Sequence, residues 1–320
     1  MRRVSSHRGR AAFGAAAIAL AVAGIGSSAA DAAVVVNDTF ADADRTDPAS
    51  PTYSEYGTDS DADTNIESSW YGTTTTLSTP AAGTLRGTVG TGSSSWTTYF
   101  TPEATPITLA NTGDQFTVTW TFTPTTVNST NVSQGLRVAL VNWPESGLAR
   151  QTADGNPGTA AYGGYALFIN MGQTIGHANP FQLLERTDPN TATALLSASG
   201  SWTALDDEEA TGTTGYVDGT SYTFTFTATR TAAGELDILS TMSGGSLGGD
   251  GTHSVAFTDT TPNTFTFDTF SLRPSSAALT AAQFDTSLFR VDTNVPIPEP
   301  TSLALVGAGA AALLRRRRGA

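Results

Sequence analysis

The chain has 320 residues, no cysteine and no lysine, and its 16 basic side chains, all arginine, stand against 29 acids for a net charge of −13. Thiolate chemistry and lysine Schiff bases are excluded, and with only His177 and His253 beyond the first few residues a multi-histidine zinc centre is excluded as well. Eight arginines lie in the two ends, so between Ala33 and Pro300 eight arginines meet 28 acids, a net −20 that repels nucleic acid and anionic lipid.

At the N-terminus Arg2, Arg3, Arg8 and Arg10 precede an apolar stretch over 11–26, and Ala30-Asp31-Ala32 supplies a small-x-small site before Ala33. This predicts a signal helix over 1–32, removed by signal peptidase; the residues after Arg2-Arg3 lack the apolar pair of a twin-arginine signal, so general secretion is expected. Two acidic runs follow. Asp38, Asp42, Asp44 and Asp47 form the first; Asp59, Asp61, Asp63, Asn65 and Glu67 form the second, with oxygen-bearing residues at alternate positions, as calcium loops gather hard ligands. Thr64 stands where such loops carry glycine and Trp70 where they carry a closing glutamate, so a solvated acidic loop is the competing expectation. Structural calcium is the one cofactor the sequence suggests.

Period-two alternation dominates from there on. Phe116, Val118, Trp120 and Phe122 alternate with threonines, and Tyr222, Phe224 and Phe226 repeat the pattern before Ala232-Ala233-Gly234 turns the chain into Leu236, Ile238 and Met242. Further strands are predicted at 136–142, 165–171, 181–187, 253–258, 264–272 and 284–291, with short strands and loops over 65–98, where Trp70, Leu77, Leu85 and Trp96 punctuate a Thr/Ser-rich segment. Many short strands and no amphipathic helix predict an all-β body, an antiparallel two-sheet sandwich over 33–294.

Parity along these strands gives a candidate binding row. If Leu136, Val138 and Leu140 face the core, Arg137 faces out; the same logic turns Asn170, Gln182 and Arg186 outward, with Trp143 and Tyr162 just beyond strand ends as flat surfaces for sugar rings. The plainer expectation pairs the arginines with carboxylates and lets Trp143 cover an edge. Gly244-Gly245-Ser246-Leu247-Gly248 has the spacing of a nucleophile elbow but leads into more glycine and another strand, which predicts a loop without catalytic serine. Asp206-Asp207-Glu208-Glu209 is expected on a solvated loop, and His177 on another.

The tail is the most explicit segment. Pro298-Glu299-Pro300 is followed by an uncharged run over 301–314 and by Arg315, Arg316, Arg317 and Arg318. Fourteen helical residues span about 21 Å, short of the roughly 30 Å hydrocarbon core, and the arginines hold the C-terminal end in the cytoplasm. The order closely resembles the PEP-CTERM sorting signal of bacterial surface and exopolysaccharide-associated proteins. The resemblance implies an anchor in the inner membrane over 295–320, a short transmembrane sorting helix that an exosortase-like enzyme cleaves near the tripeptide, and an exported body destined for the cell surface or matrix.

Asn37-Asp38-Thr39-Phe40 and Phe267-Asp268-Thr269-Phe270-Ser271-Leu272 resemble the opening and closing strands of concanavalin A-like jelly rolls, which lie side by side in those domains. With Tyr99-Phe100-Thr101-Pro102 and Gly163-Gly164-Tyr165, the body is also similar to uncharacterised PEP-CTERM proteins. Glu235-Leu236-Asp237-Ile238 resembles the catalytic strand of laminarinase- and lichenase-type hydrolases, but Leu239, Ser240 and Thr241 follow where the acid/base glutamate belongs. The expectation is therefore an exported, non-catalytic protein associated with extracellular polysaccharide, with a hydrolase or lyase on the same fold, or a coat protein without a small ligand, as alternatives.

Overall fold

The computed structural model describes residues 32–46, 53–73, 76–143, 148–159, 162–187, 195–196, 199–208 and 212–297. Both predicted end helices fall almost wholly outside these residues, as do Asp47, Glu209, Pro298, Glu299, Pro300 and Arg315 to Arg318. Among the described residues no helix is long and apolar enough to cross a membrane.

The early strands are β1 (Ala33–Asp38), β2 (Trp70–Gly72), β3 (Leu77–Ala81), β4 (Thr84–Thr88), β5 (Trp96–Tyr99) and β6 (Ile107–Thr108). The middle of the chain gives β7 (Gln115–Val127), β8 (Leu136–Asn142), β9 (Gly163–Ile169), β10 (Phe181–Arg186) and β11 (Trp202–Glu208). The rest forms β12 (Tyr222–Ala232), β13 (Glu235–Ser243), β14 (Thr252–Asp259), β15 (Thr266–Phe267), β16 (Thr269–Pro274) and β17 (Ala281–Thr293).

Two antiparallel sheets form a jelly-roll sandwich. One runs β14-β13-β12-β7-β17-β4-β3, with β1 beside β4 on the same edge of β17; the other runs β11-β10-β9-β8-β16-β5-β2. The first strand does meet the last, Ala33 opposite Thr293, but the residues expected to close that pairing do not take part. Residues 269–274 lie instead between β8 and β5 in the second sheet, because β17 follows and takes the place beside β1. The expected acidic loop is also an edge strand: Asp206, Asp207 and Glu208 sit on β11, paired with Leu183, Gln182 and Phe181.

The alternation read from sequence sets the core. Phe116, Val118, Trp120 and Phe122 point inward from β7 and are fully buried with Phe224 and Phe226 of β12. Val138, Leu140, Leu167 and Phe270 close the same core from the second sheet. Aromatic rings bridge the two layers. Trp70 meets Phe289 edge-on at 5.1 Å and Trp96 meets Phe284 at 5.5 Å. Gly87 on β4 makes the second contact fit, since a Cβ there would lie 2.4 Å from the Trp96 ring.

Candidate functional site

Three places on this frame carry polar chemistry: the outer face of the second sheet, the outer face of the first, and the acidic loop between β1 and β2.

The predicted binding row lies on the outer face of the second sheet, and that face is covered. Arg137 and Gln182 both pair with Phe168 across β8, β9 and β10. The Arg137 guanidinium sits 4.3 Å from the Phe168 ring centroid and donates to the Leu196 carbonyl at 2.6 Å; burial, with Arg273 nearby, pulls its pKa down to about 10. Arg186 is fully buried between the Tyr162 and Trp202 rings and donates to the Leu195 carbonyl. Trp143 meets Tyr162 edge-on at 5.2 Å and donates its indole N–H to the Leu148 carbonyl. These rings join Leu195, Leu196, Tyr99 and Tyr71 in a second, smaller apolar layer. Asn170 stands apart, buried, donating to the Asn131 and Ser133 carbonyls and accepting from the Gly176 and His177 amides. Parity therefore places Arg137, Gln182 and Arg186 on the outer side as expected, but alternation says nothing about what packs over that side.

A buried ion pair pins the cover. Arg150 donates to Asp268 at 2.9 Å with both side chains 2% exposed, and also to the Thr101 carbonyl. Asp268 further accepts from the Trp143 amide and the Thr269 hydroxyl; burial pushes its carboxyl up while Arg150 pulls it down. Arg45 adds a two-point pair with Asp154, which also accepts from the Gly72 amide.

The outer face of the first sheet is open. Its threonines pair across strands, Thr117 with Thr227 at 3.0 Å and Thr121 with Thr223 at 3.1 Å. Toward β13 and β14 they border a shallow groove of about 380 Å³. Leu239, 48% exposed, and Ala256 supply its apolar part; Gln115, Thr229, Asp237 and Thr258 supply donors and acceptors. Gln115 donates to Thr229 at 2.7 Å and Thr258 to Asp237 at 2.7 Å. Glu235 accepts from Thr231, so both carboxylates of the hydrolase-like strand are engaged by hydroxyls. The sequence hints at this groove only through Leu239, out of place on a threonine face. The Gly244 to Gly248 segment is a turn with Gly244, Gly245 and Gly248 at positive φ, not a strand-to-helix elbow.

In the acidic loop the side chains divide their work. Asp59 accepts from the amides of Ala62, Asp63 and Thr64, and Asp63 accepts from the Asn65 amide and carboxamide. Asn65 uses its carboxamide oxygen on the Thr39 hydroxyl at 2.6 Å. Glu67 is 4% exposed, and among the described residues no N–H or O–H reaches either carboxylate oxygen, while the Asp63 carboxyl lies beside it. Its oxygen lies within 4.8 Å of carboxylate oxygens of Asp61 and Glu55. Burial first, then Asp63, Glu55, Asp42 and Asp61, push Glu67 up to about 9. Glu55 lies outside the alternate-residue pattern of the sequence; it arrives through a backbone bridge, its amide donating to the Glu67 carbonyl at 3.0 Å.

Residues 296–318 match the PEP-CTERM protein-sorting motif. That motif marks the chain for export and sorting at the membrane. No curated protein matches the chain. Among solved structures it is similar to the VIP36 exoplasmic/lumenal domain in its Ca2+-bound form, at 12% identity, covering 73% of this chain and 85% of that one with a TM-score of 0.44. It is similar to the Emp47p carbohydrate recognition domain at 12% identity, 69% and 87% coverage and a TM-score of 0.38. Lectin I from Ulex europaeus matches at 13% identity, 71% and 91% coverage and a TM-score of 0.39.

Proposed function

We propose that the protein is an exported surface or matrix component, delivered by its sorting motif and processed by an exosortase-like enzyme, whose body associates with extracellular polysaccharide without cleaving it. The observation that carries this reading is the open groove across β7, β12, β13 and β14. An apolar patch at Leu239 bordered by hydroxyl, carboxamide and carboxylate groups suits a sugar, which presents apolar C–H faces ringed by hydroxyls. The row of Arg137, Trp143, Tyr162, Asn170, Gln182 and Arg186 would need its covering segments to move before a polymer reached it. The groove needs no such movement.

The test is a polysaccharide panel presented to the full-length chain in detergent, following both binding and the release of reducing or unsaturated sugars. Binding without product, weakened several-fold by Leu239→Asp and Thr229→Ala with the melting temperature unchanged, is the expected result. Product release would replace this reading with the hydrolase or lyase, and failure to bind any glycan would favour a coat protein.

A further inference from the structure

Residues 53–69 are held against β1 by backbone bridges. The Asn37 amide donates to the Ile66 carbonyl at 2.8 Å and the Gly57 amide to the Val35 carbonyl at 2.9 Å, while within the segment the Glu55 amide donates to the Glu67 carbonyl. This brings together two glutamates that lie twelve residues apart, and Asp61 closes over them from the exposed tip.

Glu55 is partly satisfied, accepting from the Ser60 amide at 2.7 Å, the Ser60 hydroxyl and the Glu67 amide at 3.0 Å. Glu67 receives no N–H or O–H from the described residues: both oxygens are buried, and the groups beside it are acids, the Asp63 carboxyl included. A carboxylate so placed is tolerated in one of two ways, by keeping a proton or by holding a cation. The convergence of two further carboxylates on the same point favours the cation, since one proton neutralises a single carboxyl whereas a divalent ion answers for the cluster.

We infer that Glu55, Asp61 and Glu67 form a calcium site that clasps the 53–69 loop where backbone bridges hold it against the first strand. Mutual separations of up to 4.8 Å are about two calcium–oxygen bond lengths, so one ion with minor side-chain adjustment reaches all three. The donors are hard oxygens on a flexible loop, and Asp61 is exposed, leaving room for water to complete six to eight ligands. Magnesium suits the arrangement less, because it demands near-ideal octahedral geometry and is seldom caged by several carboxylates. The ligand set differs from the alternate-residue pattern of the sequence: Asp59 and Asp63 each engage both carboxylate oxygens with N–H groups, Asp61 engages one with the Asp63 amide at 3.3 Å, and Asn65 holds Thr39. All three ligands lie within 53–69, so the ion would close this connection between β1 and β2 on itself.

The test uses the full-length chain in detergent, stripped of metal by chelator and titrated with calcium by calorimetry. One site per chain is expected, with a rise in melting temperature of roughly 3–6 °C at ten times the dissociation constant. Magnesium at the same concentration should leave the melting temperature unchanged. Glu67→Gln keeps the buried group neutral and should abolish the calcium response while the chain stays folded. Asp61→Asn, at an exposed position, should weaken binding at least tenfold. No calcium heat, equal affinity for magnesium, or calcium affinity unchanged in both variants would overturn the assignment.

Discussion

On the first sheet the outward side chains are threonines paired across strands, Thr117 with Thr227 and Thr225 with Thr241, and they stay partly open to solvent. On the second sheet the outward positions include Phe168 and Trp202, and Leu148, Leu195 and Leu196 pack over them. Hydroxyls satisfy one another and water, so a threonine face can remain bare; exposed aromatic faces raise the free energy in water, and covering them lowers it. The same alternation thus leaves one surface available to a partner and turns the other into a second core.

The covered face should respond most to the loss of its buried ion pair. Arg150→Ala leaves Asp268 buried and unpaired and should cost about 3–5 kcal/mol, read from denaturant unfolding. An unchanged midpoint would mean the cover contributes little. The next effect belongs to Asp38, which accepts from the Phe40 and Ser68 amides and whose carboxyl burial pushes up to about 7. A raised carboxyl favours the folded state while protonated, so the Asp38 contribution should be full below about pH 4 and lost as pH rises to about 7, by roughly 4 kcal/mol. Asp38→Asn should make the slope over that interval shallower, leaving the part that Glu67 contributes; a slope identical to that of the unmodified chain would refute the assignment. The smallest effect is on the open face, where Thr225→Ala should cost about 0.2–1 kcal/mol in thermal unfolding. A loss as large as that of Arg150→Ala would show that the threonine face is not merely a solvated surface.

Much of the frame is legible in the residues. The alternation of Phe116 to Phe122 and of Tyr222 to Phe226 specifies β7 and β12, and 136–142 coincides with β8. β11 is hidden because its last three residues are acids, which look like loop but suit an edge strand that must not recruit another chain. The strand at 269–274 has a different neighbour from the one its residues suggest, because Asp268-Thr269-Phe270 repeats Asp38-Thr39-Phe40, and local likeness carries no information about sheet order. For the sites, period two indicates a side but not its cover, which comes from residues 148–159 and 195–196, far away in sequence. The acidic loop is visible as a pattern, yet Glu55 is not, since only the backbone bridge to Glu67 brings it near.

β17 passes directly into Val295 and Ile297, which pack against the main core, and Pro298 is the next residue. The sorting tripeptide therefore starts where the body ends, with no spacer in the sequence between them. A processing enzyme embedded in the bilayer would have to work against the wall of the folded sandwich, or act before Val295 and Ile297 seat. Inserting a short Gly/Ser segment after Ile297 should then speed removal of the tail in pulse-chase labelling, and an unaltered rate would show that slack at this junction is not limiting.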